Sequence, residues 1–296
     1  MRALSAALTS FIDYAGLFPP AGLDLQTTVA NHERYARSAE SWLLGRCVVP
    51  CARLPELGAT LGASMVPGRA WTIAALVGPT DALDRVAATV ARFHSSGGAA
   101  GVTVTAVEAA LPVPAAAAAL AAAIPGTLER FVEVPLDATR DTWLDAIAAA
   151  GCSAKVRTGG LTEDRFPSSD ALAAVLGACA MRDLPLKATA GLHHAIRNAY
   201  PLTYEPGSPS GVMHGFANLL VATLLLRTRA GDEADARRAL DTRDTERFTI
   251  HDKTLSWEGH SFTAAACADT RAHLLRSVGS CSFEEPVADL RSLGWL

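Results

Sequence analysis

Apolar runs of strand length alternate with helix-period segments along most of the chain, and this alternation restricts the fold more than any other feature. Residues 10–17, 42–49, 71–77, 101–105 and 130–134 read as strands, as do 153–157, 185–189 and 277–283. Helical segments follow at 23–38, 54–61, 80–94, 114–123, 140–150 and 169–181, the alanine-rich 114–123 by propensity. The order breaks at 192–276, with an apolar helix at 214–229, a charged helical stretch at 232–241, a hairpin around 248–262 and a further helix. A final helix starts at Pro286. Eight strand-helix units with one excursion between the seventh and eighth predict a single α/β domain over 1–296, a (β/α)8 TIM barrel. The excursion at 192–276 is expected as a helical and hairpin lid over the C-terminal mouth.

Half of the 296 residues are apolar, enough for a large core. No apolar run reaches the length of a membrane span, and 219–226 is bounded by Asn218 and Arg227. The first residues turn polar too soon for a signal peptide, and the six cysteines are scattered, so reduced thiols in a cytoplasmic protein are expected. A net charge of −4 without a lysine cluster argues against nucleic acid as a partner. Gly97-Gly98 and Gly159-Gly160 lack the spacing of a dinucleotide loop.

In a barrel of this kind the chemistry belongs at the C-terminal ends of the strands. Asp13, Tyr14, Arg46, Glu108, Glu133, Lys155, Arg157, Lys187, Thr189 and 280–282 are expected there. The lysines carry the sharpest signal, because the chain has 23 arginines and only three lysines, two of them in strand-like runs. An arginine stays protonated in a protein, whereas a lysine driven neutral by burial or by a second cation attacks carbonyl carbon. The bland alternative is that each lysine extends its ammonium out of a core strand. Lys155 and Lys187, at matching heights on neighbouring strands roughly 4.8 Å apart, would repel each other. The less solvated one would lose its proton, although the unperturbed value is about 10.4. Glu133, one strand earlier, has the placing of a proton shuttle. Asp13 is either catalytic or a bonder of backbone amides paired with an arginine across the barrel. Tyr14 either donates its hydroxyl to substrate or fills the mouth.

Several blocks, in order, resemble the deoxyribose-phosphate aldolase family of class I aldolases: 11–20, 131–136, Ala154-Lys-Val-Arg-Thr-Gly-Gly160, Leu186-Lys-Ala-Thr-Ala-Gly191 and Val278-Gly-Ser-Cys-Ser-Phe283. The resemblance implies a Schiff-base lysine at Lys155, an assisting lysine at Lys187, and an anion held by Gly191, Ser280 and Ser282. It implies a lyase that needs no cofactor or metal and acts on a small oxygenated carbonyl compound, phosphorylated or carboxylated. The chain departs from the family in three places. The fourth strand lacks the family's catalytic aspartate, with Glu108 and Glu133 as the nearest substitutes. Arg157 stands where a small residue is usual, which suggests a further anionic group on the substrate. The seventh turn runs on into His193-His194 and the excursion.

Two readings compete with the aldolase. His193, His194 and His214 with a carboxylate would form the shell of a zinc-dependent hydrolase or lyase; the same histidines would otherwise act as caps or as substrate anchors in the pocket. A barrel that binds an anionic metabolite without turnover is the other. The run at 219–226 is expected to pack on the barrel or on a second subunit, giving a homodimer, and 206–211 is expected to be a hinge loop. Cys281, without an assured base beside it, reads as an inert thiol.

Overall fold

Eight parallel strands close into a barrel in the computed structural model, which describes residues 2–63, 70–78, 81–95 and 101–296. The chain begins with α1 (Ala3–Leu8) and β1 (Ile12–Tyr14). Five strand-helix steps follow α2 (Leu25–Ala36): β2 (Leu44–Pro50) and α3 (Leu54–Ala63), β3 (Trp71–Val77) and α4 (Leu83–Ser95), β4 (Val102–Ala109) and α5 (Ala116–Ala123), β5 (Glu129–Glu133) and α6 (Arg140–Ala149), β6 (Ser153–Arg157) and α7 (Ser169–Met181). Then come β7 (Leu186–Thr189), β8 (Asn198–Pro201), β9 (Ser210–Met213), α8 (Phe216–Thr228) and α9 (Glu233–Asp241). The chain ends with β10 (Phe248–Ile250), β11 (Thr254–Trp257), β12 (His260–Thr263), α10 (Ala264–His273), β13 (Leu275–Ser280) and α11 (Glu284–Ser292). Around the barrel the order is β1, β13, β7, β6, β5, β4, β3, β2. Thr80, Gly97 and Gly98 of the sequence readings lie outside the described residues.

Strands covered by helices on one face and filled by side chains on the other should be apolar throughout. β3 comes close to this, with Ile73, Ala74 and Ala75 fully buried and only Thr72, near its start, polar and exposed. Successive side chains alternate between the two faces. Val48, Ala74, Ala106 and Phe131 pack together in one cluster with Ala15, Phe18 and Leu76. The helices begin where side chains satisfy the first free amides. Asp24 accepts from Thr27 N at 2.7 Å ahead of α2, and Ser168 from Ala171 N at 3.1 Å ahead of α7. Among the described residues no helix is long and apolar enough to cross a membrane.

The 192–276 excursion is not one lid, which corrects the sequence expectation. Only β8 and β9, an antiparallel pair, belong to the C-terminal mouth, where Tyr204 between them reaches Glu285 at the start of α11. α8 is apolar on all sides because it joins the outer ring, packed on α7, α9, α10 and β13. Its run 219–226 is therefore covered within the chain. The three-stranded sheet β10–β12 packs on α1, and Ala3 N donates to Asp252 O at 2.9 Å. Because α1 enters β1 from its start, that sheet lies toward the N-terminal end of the barrel.

Candidate active site

Strand register places three polar side chains in a row. Glu133 on β5 is paired with Lys155 on β6, which is paired with Lys187 on β7. The expected matching height of the lysines is thus observed, but their repulsion is not what governs them. Glu108, from the end of β4, reaches between them, with Oε2 3.0 Å from Lys155 Nζ and Oε1 2.5 Å from Lys187 Nζ. Asp13 Oδ2 lies 2.6 Å from Lys187 Nζ, and Glu133 Oε2 lies 3.6 Å from Lys155 Nζ. The result is an alternating ionic row: Asp13, Lys187, Glu108, Lys155, Glu133. Asp13 is fixed further by Ser277 Oγ at 2.7 Å and by Arg46 N at 2.8 Å. It bonds a backbone amide as one reading held, but its cation is a lysine and not an arginine.

Four of the five members are buried; Glu133 is partly exposed. Burial by itself would raise the Glu108 pKa, but the ammonium groups of Lys187 and Lys155 outweigh it and hold the carboxyl down at about 2. Burial likewise opposes the charge on Lys187, and Asp13 with Glu108 reverses that and raises its pKa. Lys187, at 1 % exposure the less solvated lysine, therefore keeps its proton, contrary to the expectation from the lysine pair alone.

Above the row lies a cavity of about 220 Å³. Glu108, Lys155, Arg157, Thr189, Gly191 and His193 supply polar groups, and Phe18, Pro19, Pro20, Val48, Leu76 and Leu161 the apolar wall. Arg157 Nε donates to Gly159 O at 3.1 Å, and its guanidinium has no carboxylate in salt-bridge range among the described residues. The floor between β6 and β7 is two backbones in contact. A Cβ on Gly191 (φ +73°) would stand 2.7 Å from Phe166 Cε1 and 3.1 Å from Gly159 Cα, so glycine is required on both conformational and steric grounds. Beside it Ala190 holds a left-handed φ of 68°, with its carbonyl accepting from Thr158 Oγ1 at 2.6 Å.

On the opposite wall His193 Nδ1 is 3.1 Å from Ser280 Oγ and 3.6 Å from Cys281 Sγ. Burial lowers the His193 pKa to about 4, with His194 adding to the effect, so the ring is neutral near pH 7. Cys281 also lines the cavity, and burial pushes its thiol up to about 11. It has an imidazole beside it that sequence reading did not foresee, and it remains protonated.

Several expected site residues are placed elsewhere. His214 is buried behind the cavity wall; its Nδ1 accepts from Arg197 Nη1 at 2.9 Å and its Nε2 donates to Pro167 O at 2.8 Å. His194 turns to Asp289 at 3.2 Å and stacks on Tyr200. The three histidines do not converge, and no group of three His, Cys, Asp or Glu suited to a metal occurs among the described residues. Tyr14 packs outward under α2 against Tyr35, with its hydroxyl 3.4 Å from Asn31 Nδ2. Ser282 accepts from Glu285 N at 3.2 Å, at the start of α11. Arg46 sits low on β2, bonded to Thr105 and Glu129, and lines a different cavity at the other end of the barrel.

Glu108 is the central residue that sequence reading held only as a substitute. The strand was expected to stop at 105, whereas β4 runs to Ala109 and carries Glu108 into the barrel. The signal was present in the unbroken run from Val102 to Ala109. Comparison with protein-family models and with curated proteins finds no match to this chain.

Proposed function

We propose that the protein is a Schiff-base carbon–carbon lyase of the class I aldolase type, acting through Lys155 on a small oxygenated carbonyl compound. The observation that supports this reading is the position of Lys155 Nζ, on the cavity floor between two carboxylates that differ in exposure. Glu108 is shared with Lys187, whereas Glu133 stands beside Lys155 alone. Glu133, partly exposed, is the group that takes the proton. The free amine adds to the substrate carbonyl carbon; Glu133 then returns its proton to the carbinolamine hydroxyl, which leaves as water and gives a cationic iminium. Ionised Glu108 then lies beside the iminium charge. Breaking the bond between the α and β carbons sends its electron pair into the iminium. The β-hydroxyl proton passes to Glu133 or to neutral His193, and an aldehyde departs. Protonation of the enamine and hydrolysis release the second product. Arg157 and the amide of Gly191 face the end of the substrate away from Lys155 and suit an acidic group there.

Borohydride trapping with small aldehydes and ketones, followed by peptide mass mapping, tests the reading. One reduced adduct on Lys155, lost in Lys155→Arg together with activity, is expected. Adducts spread over Lys253 or the N-terminus with none on Lys155 would end the proposal. Saturable substrate binding with no adduct and no product would leave a barrel that binds an anion without turnover.

A further inference from the structure

A second cavity, of about 320 Å³, lies at the N-terminal end of the barrel. It is lined by Ser10, Asp13, Gly45, Arg46, Thr72, Thr105, Glu129, Arg271 and Arg276, and opens to solvent beside Ser10 and Thr72, both exposed. No lining side chain is a hydrocarbon. Three guanidiniums therefore meet two carboxylates, and one of the two, Asp13, is already paired with Lys187. Glu129 is divided between Arg46 and Arg276, the latter at 2.7 Å. Arg271 has no carboxylate in salt-bridge range among the described residues. It stacks over Phe11 at 4.4 Å and donates to backbone carbonyls of Ala7 at 2.7 Å, Leu275 at 2.9 Å and Arg276 at 2.5 Å. Those bonds explain its place in the fold, and the carboxylate whose charge acts on it is Asp13. Three guanidiniums against two carboxylates leave the lining with a net positive charge on groups that do not lose their protons near pH 7.

Donors are also in surplus. Arg46 uses Nε and Nη2, and Arg276 uses Nε and Nη1, leaving Nη1 of the first and Nη2 of the second without a bond among the described residues. The hydroxyls of Ser10, Thr72 and Thr105 come from the segment before β1, the start of β3 and the middle of β4. A planar carboxylate would use one guanidinium fork. A tetrahedral oxyanion uses donors that converge from several strands, as the free guanidinium nitrogens and hydroxyls do here, and the net positive lining favours it. We propose that this cavity is a binding site for a phosphate-type dianion, either free phosphate or the phosphate of a small monoester, held by Arg46, Arg276 and the surrounding hydroxyls. Of the ionic row at the mouth, the site shares only Asp13.

Calorimetric titration of the full chain with inorganic phosphate at constant ionic strength, near pH 7.5, tests it. One saturable site is expected in the wild type and in Arg157→Gln, at least tenfold weaker in Arg276→Gln and absent in Thr72→Glu. The last variant adds a negative charge at an exposed position and removes no buried group, so it keeps the test decisive if Arg276→Gln fails to fold. A second arm with glycerol phosphate assigns the source: tighter binding than phosphate favours a monoester, and binding of phosphate alone favours the free ion. No saturable heat in the wild type would overturn the proposal, as would loss of binding in Arg157→Gln with binding intact in Thr72→Glu.

Discussion

At the mouth of the barrel the buried cations are lysines, and at the opposite end the cations are half-buried arginines. The mouth sets Lys155 and Lys187 among carboxylates under a largely apolar wall, whereas the N-terminal end sets Arg46, Arg271 and Arg276 in a wholly polar one. A lysine shifts its proton when its surroundings change and an arginine does not, so the first end is suited to making and breaking bonds and the second to holding charge. Asp13 belongs to both ends, since its carboxylate lines the lower cavity and also holds Lys187.

The most damaging way to break this division is at Lys187. Lys187→Met leaves Asp13 and Glu108 buried without their shared cation and is expected to cost about 3–5 kcal/mol of stability in urea unfolding. A loss below about 1 kcal/mol would show that the row is not an ionic unit. Acid sharpens the same point. Glu108 is ionised down to about 2 in the fold against an ordinary 4.5, so its contribution is complete above about pH 4.5 and is lost as pH falls toward 2. That contribution is on the order of 3 kcal/mol, and Glu108→Gln should flatten this part of the stability profile. His193 and His214, each lowered to about 4 by burial, add their own losses earlier, as pH falls from about 6.5 to 4. Lys187 acts at the other extreme: its raised pKa supports the fold fully below about pH 10.4 and is lost only above that. Gly191→Ala, which meets Phe166 and the Gly159 backbone, should cost about 1–3 kcal/mol and slow adduct formation. An unchanged thermal midpoint would refute the close approach. The smallest effect is expected at the arginine end, where Arg46→Gln should leave the borohydride trapping rate within about twofold of wild type, because its side chain does not reach the upper cavity. A tenfold loss would join the two ends functionally.

The barrel was legible because its strands are short, apolar and regularly interrupted, and β3 and β6 match their predicted limits. The neighbouring lysines were legible too, since strand order in such a barrel follows chain order. What escaped was everything set by distant partners. Asp13 lies 174 residues from Lys187, and Glu108 lies 79 residues from it, so nothing local signals that both meet its ammonium. Arg46 was misplaced because it was assigned to the end of its strand, whereas it is the third residue of β2, which runs from Leu44 to Pro50. The excursion was misread because an all-round apolar helix such as α8 looks the same from sequence whether it covers a mouth or completes a ring. His193, His194 and His214 were grouped by spacing, while one faces the cavity, one turns to α11 and one is closed off by Arg197 and Pro167.

Glu108 touches both lysines, and this joins the five groups into one chain of contacts in which a change of charge at one is felt by its neighbours. In the chemistry proposed for Lys155, the acceptor for its proton lies within the row, at Glu133 3.6 Å away, so that a cycle of addition and hydrolysis would run on one resident proton moved over a few ångströms. The apparent values in a pH–rate profile would belong to the whole row. A neutral substitution at Asp13, out of sight of the mouth cavity, would move them as surely as one at Glu133.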